Sequence, residues 1–243
     1  MKFFLAPMQG LTGYTVRNAF HHHFDYIDKY YTPFIPAAKR MNAKIKRDID
    51  PVNNDGITLI PQAMSIVADE VIDLHRQLVP YGYDEINVNL GCPSGTVVSK
   101  KRGSGILAYP DMLDSFLDEL YTKADFPVSI KTRVGFNDDE LWPRLIEIYS
   151  KYPISELTVH PRVQKDFYKN TPRMDDFALA IQKINPDKTT LCYNGDITDT
   201  NSFNALTDCF PDIDEIMIGR GLFANPALIA ELKGISMDKA ELR

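Results

Sequence analysis

The chain has little cysteine, no long apolar run and no excess of basic charge, and each shortage removes a class of protein. Its three cysteines (Cys92, Cys192, Cys209) are odd in number and have no metal-ligand spacing. That argues against a disulfide framework or a metal module and fits a reducing, cytoplasmic compartment. No apolar stretch approaches the roughly 18 residues that a membrane helix needs, so no membrane association is expected. The first six residues carry one basic side chain, and the apolar stretch is soon cut by Pro7, Gln9 and Gly10, too short for a secretory signal. Glycine (13) and proline (16) stand at the ordinary level, which removes collagen-like and disordered readings. There is no low-complexity segment and no linker. With 27 basic residues against 33 acidic ones, the net charge of −6 speaks against a general nucleic-acid binder, although it leaves room for a local basic face.

What is present is a regular alternation. Short apolar or β-branched runs at residues 3–6, 27–31, 57–62, 85–89, 128–132, 156–160, 189–193 and 215–218 read as strands. Their spacing of about 30 residues matches a βαβ unit, and their continuous apolar character fits parallel strands buried on both faces. Helical stripes lie between most of them, at 68–78, 111–121, 140–149, 175–184, 200–209 and 225–232. Pro110 and Asp111 mark the start of the second. Eight strands alternating with helices predict an α/β fold of the (β/α)8 TIM-barrel type. The competing doubly wound sheet lacks a G-x-G-x-x-G after its first strand. The irregular stretch at 33–56, which holds Lys39, Arg40, Lys44, Lys46 and Arg47, is too long for a plain connection and is expected to be functional or to carry extra structure.

In such a barrel the chemistry belongs at the C-terminal ends of the strands. Read in order, those ends hold Pro7-Met8-Gln9, Gln62, Asn89 to Cys92, Lys131-Thr132-Arg133, His160-Pro161-Arg162, Asn194-Gly195-Asp196 and Gly219-Arg220-Gly221. Polar and charged groups gather there while the strand bodies stay apolar. The last two ends read as an anion site, with glycines that let backbone N–H groups approach and an arginine that adds charge. Tight turns alone would also explain the glycines. His21-His22-His23 tempts a metal reading, but consecutive helical residues diverge by about 100°. No metal site is expected.

The segments APMQGLTGYTVRNAF, NVNLGCPSGTVVSKKRGSGIL, SIKTRVGF, LTVHPR, YNGDI and MIGRGLFANP resemble the tRNA-dihydrouridine synthase family, in its order and spacing, from residue 3 to about 232. The NLGCPS block with its downstream Lys and Gly-Ser-Gly is the most specific. The resemblance implies a flavin-binding TIM barrel that reduces uridine to 5,6-dihydrouridine in tRNA, with FMN as cofactor and NADPH as reductant. It also implies a small helical tRNA-binding domain after the barrel. Residues 1–243 are therefore expected to be the catalytic barrel, with that helical domain absent or truncated. His160 is followed by Pro161-Arg162 where many relatives have Gly-Arg, so the loop after the sixth strand is expected to differ.

The resemblance puts Cys92 in the role of proton donor to C5 of uracil, opposite a hydride delivered to C6. A lone cysteine is usually an inert small hydrophobe, but this one follows a strand end between Gly91 and Pro93. A thiol of ordinary pKa is mostly protonated at neutral pH and can donate. Lys131 would set a cation near the flavin N1 and O2, and Gln62 would serve the pyrimidine-like edge. Pro7, Met8 and Gln9 would lie along the ring system, and His160 would contact flavin or substrate. Asn194, Gly195, Asp196, Gly219 and Arg220 match the family's ribityl-phosphate contacts. Asn89 would shape the substrate pocket.

Three basic groups hang from this rim: Lys39 to Arg47; Lys100, Lys101 and Arg102; and Arg162, Lys165, Lys169 and Arg173. A charge run is usually a solvated face, yet three on one rim of an acidic protein read as a phosphate-backbone footprint, with tRNA as partner. No obligate protein partner is inferred. Two alternatives stay open: a flavin-dependent reductase or dehydrogenase acting on a free pyrimidine, and an RNA-binding barrel without catalysis.

Overall fold

A computed structural model describes residues 1–37 and 40–235; Lys39 lies outside them. The strands are β1 (Lys2–Leu5), β2 (Lys29–Tyr31), β3 (Ile35–Pro36), β4 (Leu59–Ile60), β5 (Gln62–Met64), β6 (Ile86–Leu90), β7 (Val128–Gly135), β8 (Glu156–Val163), β9 (Thr190–Tyr193) and β10 (Glu215–Ile218). All pairings are parallel, in the order β3-β5-β6-β7-β8-β9-β10-β1-β2-β4.

Ten strands make eight staves. The break between β4 and β5 falls at Pro61, which has no N–H to give a ladder. There the Gln62 N–H turns to Thr32 Oγ1 at 2.9 Å, while the Pro61 carbonyl still accepts from Asn87 N at 2.9 Å. β2 and β3 flank the same break on the neighbouring stave, pairing with β4 and β5 respectively. Joined in this way, the third stave touches the second on one side and the fourth on the other, and the barrel closes. The chain is a (β/α)8 barrel.

Helices alternate with the staves: α1 (Tyr14–His23), α2 (Ala43–Ile49), α3 (Ala68–Leu78), α4 (Gly95–Val98), α5 (Pro110–Lys123), α6 (Trp142–Tyr149), α7 (Met174–Lys183), α8 (Thr200–Cys209), α9 (Arg220–Ala224) and α10 (Leu228–Leu232). The long 33–56 stretch holds β3 and α2, whose start is capped by the Asn42 side chain accepting from Ile45 N at 3.0 Å. The helix expected at 225–232 begins only at Leu228, as α10, because Asn225 before Pro226 is extended; α9 is a separate short helix that ends before that span.

Most of the core fills the space between staves and helices, where Val71, Leu74, Leu78, Leu113, Leu117, Leu120, Leu145 and Ile146 join strand residues such as Ile86, Val88 and Leu157. A separate plug of Phe4, Ala6, Tyr31, Ile60, Cys192 and Met217 fills the barrel interior. Beneath it Glu156 is buried and accepts from Lys29 Nζ (2.7 Å), Tyr31 Oη (2.7 Å) and Thr158 Oγ1 (2.7 Å). The inside of the barrel is thus filled, and a ligand must bind at the open C-terminal mouth.

Candidate active site

A cavity of about 430 Å³ opens at that mouth, in the size range of small-molecule sites. Seven of the eight stave ends, together with Phe34 at the break between β2 and β3, line it. Pro7, Met8, Gln9, Gln62, Asn89, Cys92, Lys131, His160, Asn194, Gly195, Asp196, Gly219 and Arg220 all contribute. Residues scattered over more than 200 positions meet because parallel staves point all their C-terminal ends the same way.

One wall is an amide chain. Asn87 donates to Ser129 Oγ at 3.0 Å and accepts from Gln62 Nε2 at 2.8 Å, and Gln62 Oε1 accepts from Asn89 Nδ2 at 2.8 Å. Asn89 Oδ1 then accepts from the backbone N–H groups of Gly91 (3.1 Å) and Cys92 (2.9 Å). Every amide is oriented by the next, so the face Gln62 offers the cavity is fixed. Asn89 fixes the turn that carries Cys92.

Lys131 donates to Asn194 Oδ1 at 2.5 Å, and Asn194 Nδ2 donates to the Met217 carbonyl at 2.7 Å. Burial, reinforced by the Arg133 charge, pushes the Lys131 ammonium down to about 7. An anionic ligand would restore its charge. Burial and the surrounding cations hold the His160 imidazole well below its usual range, so it is neutral. Its Nε2 lies 3.2 Å from Arg162 Nη1, a donor, which leaves the ring proton on Nδ1. Burial pushes the Cys92 thiol up, against the pull of the Ser94 hydrogen bond and the Arg133 and Lys131 charges. At neutral pH the thiol keeps its proton.

The far wall is built from the last two staves. Asp196 accepts from both terminal nitrogens of Arg162 and, at 2.6 Å, from Arg220 Nη2. Burial would raise the Asp196 carboxyl, but these partners hold it below its usual range. Among the described residues the backbone N–H groups of Gly195 and Gly219 find no protein acceptor. Two of the glycines are required by packing. A Cβ on Gly195 would stand 1.9 Å from Tyr193 Oη, and one on Gly221 would stand 2.1 Å from the Ile197 carbonyl oxygen.

The rim differs from the sequence expectation at Arg162 and Arg102. Arg162 is 1% exposed, and its guanidinium is spent on Asp196, His160 and the carbonyls of Lys169 and Asn170. It braces the wall and does not reach a polynucleotide. Arg102 is half-buried and pairs with Glu70 at 3.1 Å. Arg173 pairs with Asp139 and Asp166. Lys100, Lys101, Lys165 and Lys169 remain exposed, as do Arg40, Lys44, Lys46 and Arg47. Pro161 lies inside β8, at a register shift where Arg133 pairs with His160 and Gly135 with Val163, so β8 carries one extra residue there. His21 to His23 form the last turn of α1, and no metal-binding cluster occurs among the described residues.

The model of the dihydrouridine synthase family matches residues 4–242. The chain belongs to that family. It is 26% identical over 243 residues to tRNA-dihydrouridine synthase B of Pasteurella multocida, covering 96% of this chain and 69% of that protein. A probable tRNA-dihydrouridine synthase of Staphylococcus aureus is 34% identical over 154 residues, covering 62% of this chain and 46% of that protein. tRNA-dihydrouridine synthase B of Escherichia coli is 30% identical over 174 residues, covering 71% and 53%. The chain thus spans between about half and two thirds of these relatives' length. In fold it is similar to morphinone reductase, with a TM-score of 0.63 at 11% identity, over 99% of this chain and 88% of that one.

Among the cavity residues, the sequence reading names Arg133 at its strand end but gives it no role, and it does not single out Tyr168. Arg133 lines the cavity and donates to the carbonyls of Gly91 (3.0 Å), Val163 (2.9 Å) and Phe167 (2.6 Å). It ties the Cys92 turn to the loop after β8. The period of two in a strand puts it on the face of Lys131, a signal present in the sequence. Tyr168 is an exposed ring over which Arg220 (5.0 Å) and Arg133 (5.7 Å) pack. It sits in irregular backbone, where no periodicity could mark it.

Proposed function

We propose that this protein is an FMN-dependent tRNA-dihydrouridine synthase that uses NADPH to reduce uridine in tRNA, acting in the cytoplasm, with residues 1–243 as its catalytic barrel. The observation that carries the reading is one cavity, in a chain of this family, lined at once by a protonated thiol, a half-buried lysine and an oriented amide wall. Among the described residues no helix is long and apolar enough to cross a membrane.

The lining fits FMN. Arg220 and the unpaired N–H groups of Gly195 and Gly219 suit a phosphate, with Asp196 holding Arg220 in place and Asn194 beside them. Pro7, Met8 and Gln9 offer a partly apolar wall for a flat ring. Gln62 gives and accepts hydrogen bonds at a pyrimidine edge, and Lys131 supplies a cation there. His160, neutral with its proton on Nδ1, is a donor. FMN held there and reduced by NADPH would supply hydride chemistry for C6 of uracil. The chain itself supplies the proton for C5: the Cys92 S–H bond breaks, a C5–H bond forms, and the thiolate left behind lies in the field of Arg133 and Lys131 until solvent reprotonates it. The target uridine must leave its stack to reach Cys92, because a cavity of about 430 Å³ at the strand ends has room for a single base and not for a stacked helix. Asn89 holds the thiol-bearing turn against it.

Lys100 and Lys101 are exposed and can meet phosphates, Lys101 by leaving the Tyr109 ring that its Nζ overlies at 4.3 Å; Arg102 meets them only by leaving Glu70. The test is turnover of unmodified tRNA by the flavin-loaded protein with NADPH, scored as dihydrouridine by mass spectrometry of the digested RNA. Reduction of free uracil or uridine at a comparable rate would favour the free-pyrimidine reading. A colourless protein that rejects FMN would favour a barrel without catalysis.

A further inference from the structure

The Gly-Ser-Gly run at 103–105 lies 11 residues beyond Cys92 and outside the cavity lining. It is nevertheless buried, in a short 3₁₀ segment (Gly103–Ala108). Ser104 contacts the backbone of Cys92 twice: its N–H donates to the Cys92 carbonyl at 3.1 Å and its hydroxyl donates to the same oxygen at 2.9 Å. The N–H of Cys92 is held from the other side by Asn89 Oδ1 at 2.9 Å. Both peptide groups flanking the Cys92 Cα are therefore anchored, one to a strand end and one to a segment that returns 12 residues later.

The glycines explain how that segment gets so close. Gly103 has φ +54, and a Cβ on it would stand 2.7 Å from the Cys92 carbonyl oxygen, 2.9 Å from Val97 Cγ1 and 3.0 Å from Cys92 Cβ. At Gly105 a Cβ would stand 2.8 Å from the Val98 carbonyl oxygen. Either side chain would push the segment away from the turn it clamps.

We propose that Ser104 and Gly103 are positioning residues for Cys92, fixing the backbone on both sides of its Cα so that the thiol is delivered to one place in the cavity with only χ1 free. This rests on the reading of Cys92 as the proton donor. A donor must lie within hydrogen-bond reach of the atom it protonates, and a misplacement near 1 Å can cost about 10²-fold in rate.

The test compares Ser104→Ala, Ser104→Thr, Gly103→Ala and Cys92→Ala with the parent. Flavin retention and NADPH-driven bleaching of the flavin band should match the parent in Ser104→Ala. Its reoxidation by tRNA should slow by roughly three- to tenfold, the worth of one net hydrogen bond. Ser104→Thr, which keeps the hydroxyl, should recover most of that loss. Gly103→Ala should slow reoxidation by roughly 10²-fold. An independent readout is the rate at which iodoacetamide alkylates Cys92 in the folded, flavin-loaded protein, followed by peptide mass spectrometry. Release of the clamp should raise it threefold or more in Ser104→Ala, whereas a merely structural role would lower the melting temperature and leave alkylation of the folded protein alone. Parent-like reoxidation and parent-like alkylation in Ser104→Ala overturn the proposal, whether or not Gly103→Ala folds. If Cys92→Ala itself reoxidises at the parent rate, the donor assignment fails, and alkylation still decides whether Ser104 positions the thiol.

Discussion

Cys92 and Lys131 share one cavity but should fail in different ways. Cys92→Ala removes a proton donor and should leave flavin retention and the NADPH phase near normal. In anaerobic stopped-flow its reoxidation by tRNA should slow by roughly 10²–10⁴-fold, the range of a lost general acid. Parent-like reoxidation would place the donor elsewhere. Lys131 carries a pH signature. Its ammonium is pushed down to about 7 in the fold, while in the unfolded chain it titrates near 10.4. Between those values the unfolded chain holds more protons, so the stability of the cofactor-free protein should rise with pH across this window. Lys131→Met should therefore melt higher than the parent at pH 7, with the gap closing as pH nears 10. Flavin retention should run the opposite way, weakening above pH 7 in the parent and showing no such trend in Lys131→Met. Melting curves and flavin titrations over this range check both signs.

At the scale of elements, the loops after β8, β9 and β10 form one ionic unit around Asp196. Arg162 and Arg220 share that carboxylate from opposite sides of burial: one is 1% exposed, the other half-exposed. Arg220→Ala should weaken flavin retention with little effect on the melting temperature. Arg162→Ala should lower stability by about 3 kcal/mol, since it breaks a largely buried pair and leaves loop carbonyls without their donor. Urea unfolding of the two variants separates the roles, and equal stability losses would contradict this division. Gly221→Ala should also destabilise, because its Cβ would press on the Ile197 backbone carbonyl, which cannot turn aside as a side chain can.

At the scale of the whole molecule, charge is divided. The chain is acidic overall, yet Lys100, Lys101, Lys165 and Lys169 stand exposed on loops that follow the cavity-lining strands. tRNA binding should fall steeply with salt. The double variant Lys100→Ala, Lys101→Ala should bind tRNA more weakly, with the salt slope reduced by roughly one per lost phosphate contact and flavin affinity unchanged. Arg102→Ala should act differently, through the lost pair with Glu70. Salt-independent binding by the parent would remove the footprint argument.

The sequence alone determined the barrel. Eight apolar runs about 30 residues apart, separated by helical stripes, allow few other architectures. Because every parallel stave ends on the same face, the order of strand ends also determined which residues gather there: Cys92, Lys131, His160, Asn194 and Arg220 were legible as one set. Tertiary structure alone decided what each charge does. A side chain's partners come from staves far away in sequence, so Arg162 read as a rim cation until Asp196, 34 positions later, was seen to take it inside. Arg102 likewise met Glu70. Gly195 and Gly221 could be marked as turns or as ligand contacts from sequence, and only the atoms around them, Tyr193 Oη and the Ile197 carbonyl, decided that packing requires them. The break of the third stave at Pro61 and the late start of the last helix after Pro226 are local effects of proline, a cause the sequence contained. The clamp of Ser104 on Cys92 has no such local cause, because it depends on a chain reversal that brings residue 104 back against residue 92.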